Sequence, residues 1–330
     1  MADIQEKLSP SAGADSRIIW LDIARALGIL LVVFGHVERG LLSSGILNDK
    51  IWSQIDFIIY TFHMPLFFYL SGLNVMRSRQ KPSFFKRRAK ALIIPYIVFS
   101  ILSGGLQALL ASHTNNSLSL QDLGLILLYP IPPFWFLYVL LIYTAIVSLW
   151  RPGWQMMAIA VLMLLASPLV GISAFPLFKI LYFFAFFVAG ILFPPPRLST
   201  GVGVSALCIC VAYSVMALFL GSSVSSYYAL YMLPAAVCGT LGLIYVAQNL
   251  EAKAAFWNSW LASIGKKVLA IYVMHIIAAA GTRIILLKMG IDYATVHLLL
   301  GLSAGMVLPL VALWSFQRMG VAPYLGFSDK

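Results

Sequence analysis

Residues 22–36 read Asp-Ile-Ala-Arg-Ala-Leu-Gly-Ile-Leu-Leu-Val-Val-Phe-Gly-His and lie within the first long apolar run, which starts at Ile18. An apolar run of this length predicts a membrane-spanning helix. Arg25 and His36 are eleven residues apart. Eleven residues make about three helical turns, so both side chains are predicted to share one face, roughly 16 Å apart along the axis. Asp22 precedes Arg25 by three residues, close enough to form an ion pair that reduces its burial cost.

Each ionisable residue of this stretch also has a purely structural interpretation. An arginine near a helix end can extend its guanidinium to the interface, and a histidine near the other end can lie among the lipid headgroups. Charged groups at membrane depth usually face a bundle interior or a wet cavity. Two such groups on one face of one helix therefore favour a functional site over a pair of anchors.

The composition of the whole chain is that of an integral membrane protein. Of its 330 residues, 61% are apolar and only 10% are charged, which excludes an ordinary soluble domain. No small-residue cleavage site follows a short apolar core, so we expect the first helix to be retained and residues 1–16 to form a disordered cytoplasmic tail. The three cysteines all lie in apolar runs, which predicts neither a disulfide framework nor a metal site.

Hydropathy predicts an all-α bundle of about ten transmembrane helices, which form one domain over residues 17–330. The predicted spans are 18–38, 53–75, 92–111, 134–150, 154–170, 177–193, 200–220, 227–248, 268–288 and 294–316. Residues 121–133 are apolar but too short to span, so we expect an interfacial or re-entrant segment there.

The net charge of +11 could indicate nucleic acid or anionic lipid as a partner, but the placement of the charges points to membrane orientation. With the N-terminus inside, sixteen basic residues fall on the cytoplasmic side and five on the outer side. This distribution satisfies the positive-inside rule with both termini cytoplasmic. We therefore expect the lipid bilayer, and no nucleic acid, as a partner.

Span two contains Ile-Asp-Phe-Ile-Ile-Tyr-Thr-Phe-His-Met-Pro-Leu-Phe-Phe-Tyr-Leu-Ser-Gly. Asp56, Tyr60 and His63 are spaced four and three residues apart, so they share a helix face. Asp56 is expected at the depth of His36, where a carboxylate could hold the imidazole tautomer and stabilise imidazolium. The alternatives are an interfacial Asp56 without a partner and a His63 that makes only a structural hydrogen bond.

The segment from Arg77 to Lys90 has seven basic residues and no acid, and we interpret it as a loop that leads into span three. Its core consists of Lys86, Arg87, Arg88 and Lys90. The forked guanidinium groups suit a polyphosphate. The alternatives are a positive-inside signal and binding to lipid phosphate.

Span nine contains Ala-Ile-Tyr-Val-Met-His, in which Tyr272 lies three residues before His275. A histidine near mid-membrane is either a site residue or a core residue with a structural hydrogen bond. The sequence alone leaves both interpretations open.

Five of these features, in this order, resemble the acyltransferase-3 family of membrane proteins, nearest to its short sugar O-acetyltransferases such as the fucose 4-O-acetylase-like group. The resemblance extends from residue 17 to about 316. It rests on Arg25 with His36, on Phe-His-Met-Pro-Leu-Phe-Phe-Tyr-Leu-Ser-Gly, on Lys-Arg-Arg-Ala-Lys-Ala-Leu-Ile-Ile-Pro-Tyr, on Phe-Trp-Phe-Leu-Tyr and on Ile-Tyr-Val-Met-His.

The resemblance implies a multi-pass enzyme of the bacterial inner membrane that acylates extracytoplasmic glycans from a cytoplasmic acyl-CoA. It implies that Arg25 and His36 are required for activity. The family's Arg-x-x-Arg motif matches Arg87 to Lys90, with lysine in the second place, which keeps the charge but loses one guanidinium fork. The secreted hydrolase-like domain fused to some members is not seen, so acceptor transfer is expected on the bundle itself or with a polysaccharide biosynthesis protein as partner.

We therefore predict an O-acetyltransferase with acetyl-CoA as the donor and without a metal. The nucleotide end of acetyl-CoA is expected to dock on the basic core, and its pantetheine arm to pass Arg25 and bring the thioester to His36. His36, supported by Asp56, then takes the proton of a sugar hydroxyl or is itself acetylated. The predicted contacts of the glycan acceptor are Tyr60, His63, Trp135, Tyr138 and His275.

Other functional classes stay open on the sequence alone. A transporter or flippase of a polysaccharide export system also carries buried charges, although no internal repeat is visible. A structural partner in such an export complex is a second alternative, and a small acyl group other than acetyl is a third.

Overall fold

The computed structural model describes residues 18–48, 50–109, 124–223, 225–253 and 255–327, and over these ranges the chain contains helices and no strand. The α-helices are α1 (Ile19–Ser43), α2 (Lys50–Ser78), α3 (Phe84–Leu109), α4 (Trp135–Leu149), α5 (Trp154–Val170), α6 (Leu177–Leu192), α7 (Thr200–Phe219), α8 (Leu233–Lys253), α9 (Ala255–Lys266), α10 (Val268–Lys288) and α11 (Ala294–Arg318). A 3₁₀ turn at Leu230–Met232 precedes α8, and another at Ala322–Leu325 follows α11.

Every apolar run predicted to span the membrane contains a helix, but the helices fall into two length classes. Among the described residues, seven are long and apolar enough to cross a membrane: α1, α2, α3, α7, α8 with its 3₁₀ turn, α10 and α11. The helices α4, α5 and α6 have 15, 17 and 16 residues. At 1.5 Å per residue they measure about 23–26 Å, less than the ~30 Å hydrocarbon core. Seven spans are therefore supported, and the count of ten stays a prediction.

The basic core lies in a helix and not in the predicted loop. Helix α3 begins at Phe84, whereas span three was predicted to begin at residue 92. Lysine, arginine and alanine are good helix formers, and neither glycine nor proline interrupts the sequence between Phe84 and Pro95. The loop interpretation is wrong because helix propensity continues through the charged residues, and the connection between α2 and α3 shrinks to residues 79–83.

Helix α1 lies at the centre of the bundle. It packs against α2, α8, α9, α10 and α11. At one end, Gly265 of α9 lies so close that a Cβ atom there would collide with the Asp22 carbonyl oxygen. At the other end, the Gly40 carbonyl accepts a hydrogen bond from Arg283 of α10. The helix that carries Arg25 and His36 is thus held by its neighbours at both ends.

Helices α2 and α6 approach each other through a pair of glycines. A Cβ atom at Gly72 would collide with the carbonyl oxygen of Phe187, and one at Gly190 would collide with that of Tyr69. Phe68 of α2 packs among aromatic rings of α4 and α6. These aromatic contacts hold α6 beside α2 and α4.

Candidate active site

Arg25 lies in the second turn of α1 and pairs with Asp22, as the spacing predicts. Its Nη1 donates a hydrogen bond of 2.9 Å to Asp22 Oδ1. The Asp22 side chain is 3% exposed and that of Arg25 18%. The carboxylate offsets the cost of burying the guanidinium and keeps it at the wall of a cavity.

That cavity has a volume of about 260 Å³ and lies between α1, α2, α3, α4, α9 and α10. Arg25, Ile29 and Val32 line it from α1, and their spacing of four and three residues places them on one helix face. Its other polar lining residues are Ser71, Asn74, Arg88, Lys266 and Tyr272. Basic residues gather at the Arg25 end, and apolar side chains such as Met64 and Phe136 line the inner end.

The inner end of the cavity stops one helical turn before two histidines. Val32 lines the cavity, and His36 follows it by four residues on α1; Tyr272 lines it, and His275 follows by three residues on α10. The centroids of the two imidazole rings are 5.1 Å apart. The sequence identified both histidines, but their pairing depends on contact between helices that are distant in the chain.

The hydrogen bonds of His275 determine its tautomer. The side chain is fully buried, and its Nδ1 lies 3.0 Å from the Ile271 carbonyl oxygen and 2.7 Å from that of Tyr272. Both partners only accept hydrogen bonds, so Nδ1 carries the proton and Nε2 carries the lone pair. Nε2 is buried and has no hydrogen-bond partner within the described residues. This nitrogen can accept a proton from a group placed between it and His36.

Asp56 has a different partner from the one predicted. Its Oδ2 accepts two hydrogen bonds from Arg39, one from Nε at 2.9 Å and one from Nη2 at 2.7 Å. Arg39 is three residues after His36 on α1 and is permanently charged, so it takes the carboxylate in preference to an imidazole. The expectation that Asp56 accepts a hydrogen bond from His36 is therefore wrong, and a catalytic role for Asp56 stays a prediction.

Tyr60 and His63 lie next to this ion pair. The Arg39 guanidinium carbon is 3.3 Å from the centroid of the Tyr60 ring. The His63 ring is 4.3 Å from Tyr60, and its Nδ1 lies 2.9 Å from the Ile59 carbonyl oxygen. His63 is buried and makes the structural hydrogen bond that the sequence left as an alternative. Its contact with a substrate, like that of Tyr60, stays a prediction.

The four residues of the basic core differ in their surroundings. Arg88 lines the cavity, and its Nε is buried without a hydrogen-bond partner in the described parts of the chain. Lys86, Arg87 and Lys90 are exposed on the surface of α3. Of the four residues, the structure thus brings Arg88 to the same cavity as Arg25. Sequence spacing alone could not show which of the four would face the cavity.

The first turns of α4 contain the remaining predicted acceptor contacts. The Trp135 ring stacks on Phe183 at 5.6 Å, whereas the Tyr138 ring lies 6.0 Å from Tyr96 of α3. Phe136 lines the cavity. Trp135 therefore belongs to an aromatic cluster around α6, and Tyr138 contacts a different helix.

Glu38, two residues after His36, is not among the site residues that the sequence predicts. It is fully buried, and neither carboxylate oxygen has a hydrogen-bond partner among the residues that the structure describes. An acid inside the apolar run of α1 was the available signal. Burying a carboxyl group without a partner is costly, so Glu38 is a candidate site residue in addition to those that the sequence indicated.

Comparisons with known proteins point to one family. A family model described as an acyltransferase domain matches residues 18–316, which include the cavity and both histidines. Nodulation protein NolL of Sinorhizobium fredii (strain NBRC 101917 / NGR234) is 29% identical over 198 residues, or 57% of this chain and 52% of the relative. Nodulation protein NolL of Mesorhizobium japonicum (strain LMG 29417 / CECT 9101 / MAFF 303099) is 28% identical over 195 residues, which are 56% of this chain and 50% of the relative. The chain spans about half the length of these relatives. No solved structure matches it.

Proposed function

Because the chain belongs to the acyltransferase-3 family, we propose that it transfers an acetyl group from cytoplasmic acetyl-CoA to a hydroxyl group of an extracytoplasmic polysaccharide or lipid-linked glycan. One observation carries the proposal: the cavity follows one face of α1 from Arg25 and stops one turn before His36 and His275. A cavity that is basic at one end and apolar at the other matches a donor with a charged nucleotide and a neutral arm.

The Arg25 end of the cavity is suited to the phosphate groups of the donor. Arg25, Arg88 and Lys266 place three cationic side chains around it. The first two residues of α10, Val268 and Leu269, line the same end. A helix N-terminus presents unpaired backbone N–H groups and a positive partial charge, which both favour an anion.

The apolar part of the cavity is suited to the pantetheine arm. From Arg25 to Val32 it follows α1 for about 10 Å, and His36 lies about 6 Å further along the helix axis. An arm that binds in this direction places its thioester next to the two histidines. The apolar lining of this part also disfavours water, which would compete with the acceptor hydroxyl.

The histidine pair can perform the acyl transfer. In the direct route, an imidazole removes the proton of the sugar hydroxyl as its oxygen attacks the thioester carbonyl, and the coenzyme A thiolate then leaves and takes up that proton. In the two-step route, the lone pair of His36 attacks the thioester carbonyl and the coenzyme A thiolate leaves, which gives an acetyl-imidazolium. The sugar oxygen then attacks the acetyl carbon, the bond to the His36 nitrogen breaks, and the hydroxyl proton passes to a base and finally to the thiolate. In both routes His275 can receive the proton, because its Nε2 lone pair is unused.

Labelled acetyl-CoA tests the proposal. The purified protein in vesicles should bind it saturably, coenzyme A should compete, and the label should move to a glycan acceptor supplied on the opposite side. A transporter would instead accumulate intact label inside the vesicles without acylating the acceptor. Absence of saturable binding by monodisperse protein would overturn the proposal.

A further inference from the structure

A second cluster of functional groups lies beyond His36, at the end of α1 opposite to Arg25. Arg39 lies over the ring of Tyr60, and the Tyr227 ring is 5.2 Å from the Tyr60 ring. The Tyr228 ring follows at 4.6 Å from Tyr227, and Lys179 Nζ lies 4.2 Å from the centroid of Tyr228. We call Tyr60, Tyr227 and Tyr228 the tyrosine platform. It begins one helical turn after His36, since Arg39 follows that residue by three positions.

Lys179 is a cation without an ion-pair partner in the part of the chain that the structure describes. Its Nζ is also 5.2 Å from the Trp135 ring centroid and 5.9 Å from that of Phe183, and it forms no ion pair with any described residue. It lies in the first turn of α6, where the positive end of the helix dipole disfavours another positive charge. Asp56 pairs with Arg39, so Lys179 is the cation of the cluster that has no ion-pair partner among the described residues.

A second polar group without a partner lies beside Lys179. Tyr182 follows it by three residues on α6, and the Tyr182 ring is 5.3 Å from the Tyr228 ring. The Tyr182 side chain is fully buried, and its hydroxyl has no hydrogen-bond partner within the described residues. Buried hydroxyl groups usually have such a partner. Lys179 and Tyr182 thus both lie against Tyr228, Lys179 with its ammonium group and Tyr182 with its ring.

We propose that this cluster is the acceptor subsite and that it selects a glycan carrying an anionic group, a carboxylate or a phosphate. Lys179 and the Tyr182 hydroxyl bind the anion by charge-assisted hydrogen bonds, and Tyr227, the partly exposed member of the platform, supports the sugar ring. The inference rests on the proposed function, because the platform that is to hold the acceptor begins one helical turn after His36. A neutral glycan would leave Lys179 without an ion-pair partner, whereas buried charged groups are usually paired.

Three alkyl glycosides test the proposal in protein reconstituted into nanodiscs of neutral lipid, with empty nanodiscs as the blank. They are octyl glucoside, octyl glucuronide and octyl glucoside 6-phosphate, and the Kd of each is measured. The wild-type protein should bind an anionic probe at least tenfold more tightly than the neutral one, a difference of about 1.4 kcal/mol. The preference between carboxylate and phosphate identifies the anion.

Variants of Lys179 assign the preference to this cluster. Lys179→Met should abolish the preference for the anionic probe, and Lys179→Arg should retain most of it. Lys288→Met removes an exposed positive charge from the last turn of α10 and should leave the preference intact. Tyr182→Phe preserves the ring packing and should weaken the binding of the anionic probes but not of the neutral one. This variant keeps the test valid if Lys179→Met does not fold.

Two results would overturn the inference: equal binding of all three probes to wild-type protein, or an undiminished preference in Lys179→Met. Acetyl-CoA binding is measured on the same preparations to separate this result from the proposed function. If the protein does not bind acetyl-CoA but still prefers the anionic glycosides, the proposed acetyltransferase function is refuted and the anionic subsite is not. If the protein binds acetyl-CoA normally but does not prefer the anionic glycosides, the anionic acceptor subsite is refuted and the acetyltransferase function is not.

Discussion

The two ends of helix α1 each carry an arginine paired with an aspartate, but the two pairs are built differently. Arg25 and Asp22 belong to one turn of α1, and a single nitrogen of the fork bonds the carboxylate at 2.9 Å. Arg39 and Asp56 join α1 to α2, and two nitrogens bond one carboxylate oxygen. Arg25 of the first pair lines the cavity, whereas Arg39 of the second lies against the tyrosine platform.

This difference indicates what each pair does. A pair within one helix turn adds no link between helices, so it can orient Arg25 toward a ligand without altering the packing of the bundle. A pair between helices fixes α1 against α2 and absorbs the charge of Arg39. The two histidines lie between the pairs, where we place the reaction.

The largest effect is expected at the histidines between the two pairs. His36→Ala and His275→Ala should each lower the rate of acetyl transfer by about 100- to 10,000-fold, the usual contribution of general acid–base catalysis. His297→Gln is the matched control, because His297 is buried and bonds only the Ile291 carbonyl oxygen. Monodisperse His36→Ala protein with a wild-type rate would remove this residue from the mechanism.

The next effect tests the role of the Arg25 pair in donor binding. Arg25→Lys keeps the charge but loses the planar fork, so the Kd for acetyl-CoA should rise about tenfold or more. Arg39→Lys makes the same change at the other end of α1 and should leave the Kd for acetyl-CoA unchanged. The comparison fails if the two variants bind acetyl-CoA equally well.

A third measurement separates the stability roles of the two aspartates. Asp56→Asn should lower the free energy of unfolding by about 1–3 kcal/mol, because it leaves Arg39 without its counter-charge at a helix contact. Asp22→Asn should also destabilise the protein. Thermal unfolding in detergent should show normal stabilisation by acetyl-CoA for Asp56→Asn and reduced stabilisation for Asp22→Asn. The reverse order would contradict the donor-side role of the Arg25 pair.

The smallest effect concerns the exposed part of the basic core. Replacing Lys86, Arg87 and Lys90 with glutamine should raise the Kd for acetyl-CoA about two- to threefold at low salt and not at high salt, because exposed charges are screened. Arg88→Gln should cause a larger loss that persists at high salt, since Arg88 lines the cavity. Equal and fully salt-sensitive losses in both variants would indicate that the cavity does not hold the nucleotide.

Much of the fold could be predicted because hydropathy is a local property. The apolar runs predict the long helices directly, and the spacing of Asp22 and Arg25 predicts their ion pair. The limits of α3 and the short α9 were not predicted. In α3, helix propensity extended through the charged residues, and α9 is too short to give a spanning signal.

The sequence by itself determined that this is a membrane bundle, that Arg25 and His36 share a face of α1, and that Asp22 pairs with Arg25. These properties depend on residues within a few turns of one another, so helix geometry is sufficient to derive them. Only the tertiary structure decided that Asp56 pairs with Arg39, that His275 meets His36, and that Lys179 lies over Tyr228. The physical reason is that a helix presents side chains all around its axis, and the neighbouring helix that a given face meets depends on how the whole bundle packs.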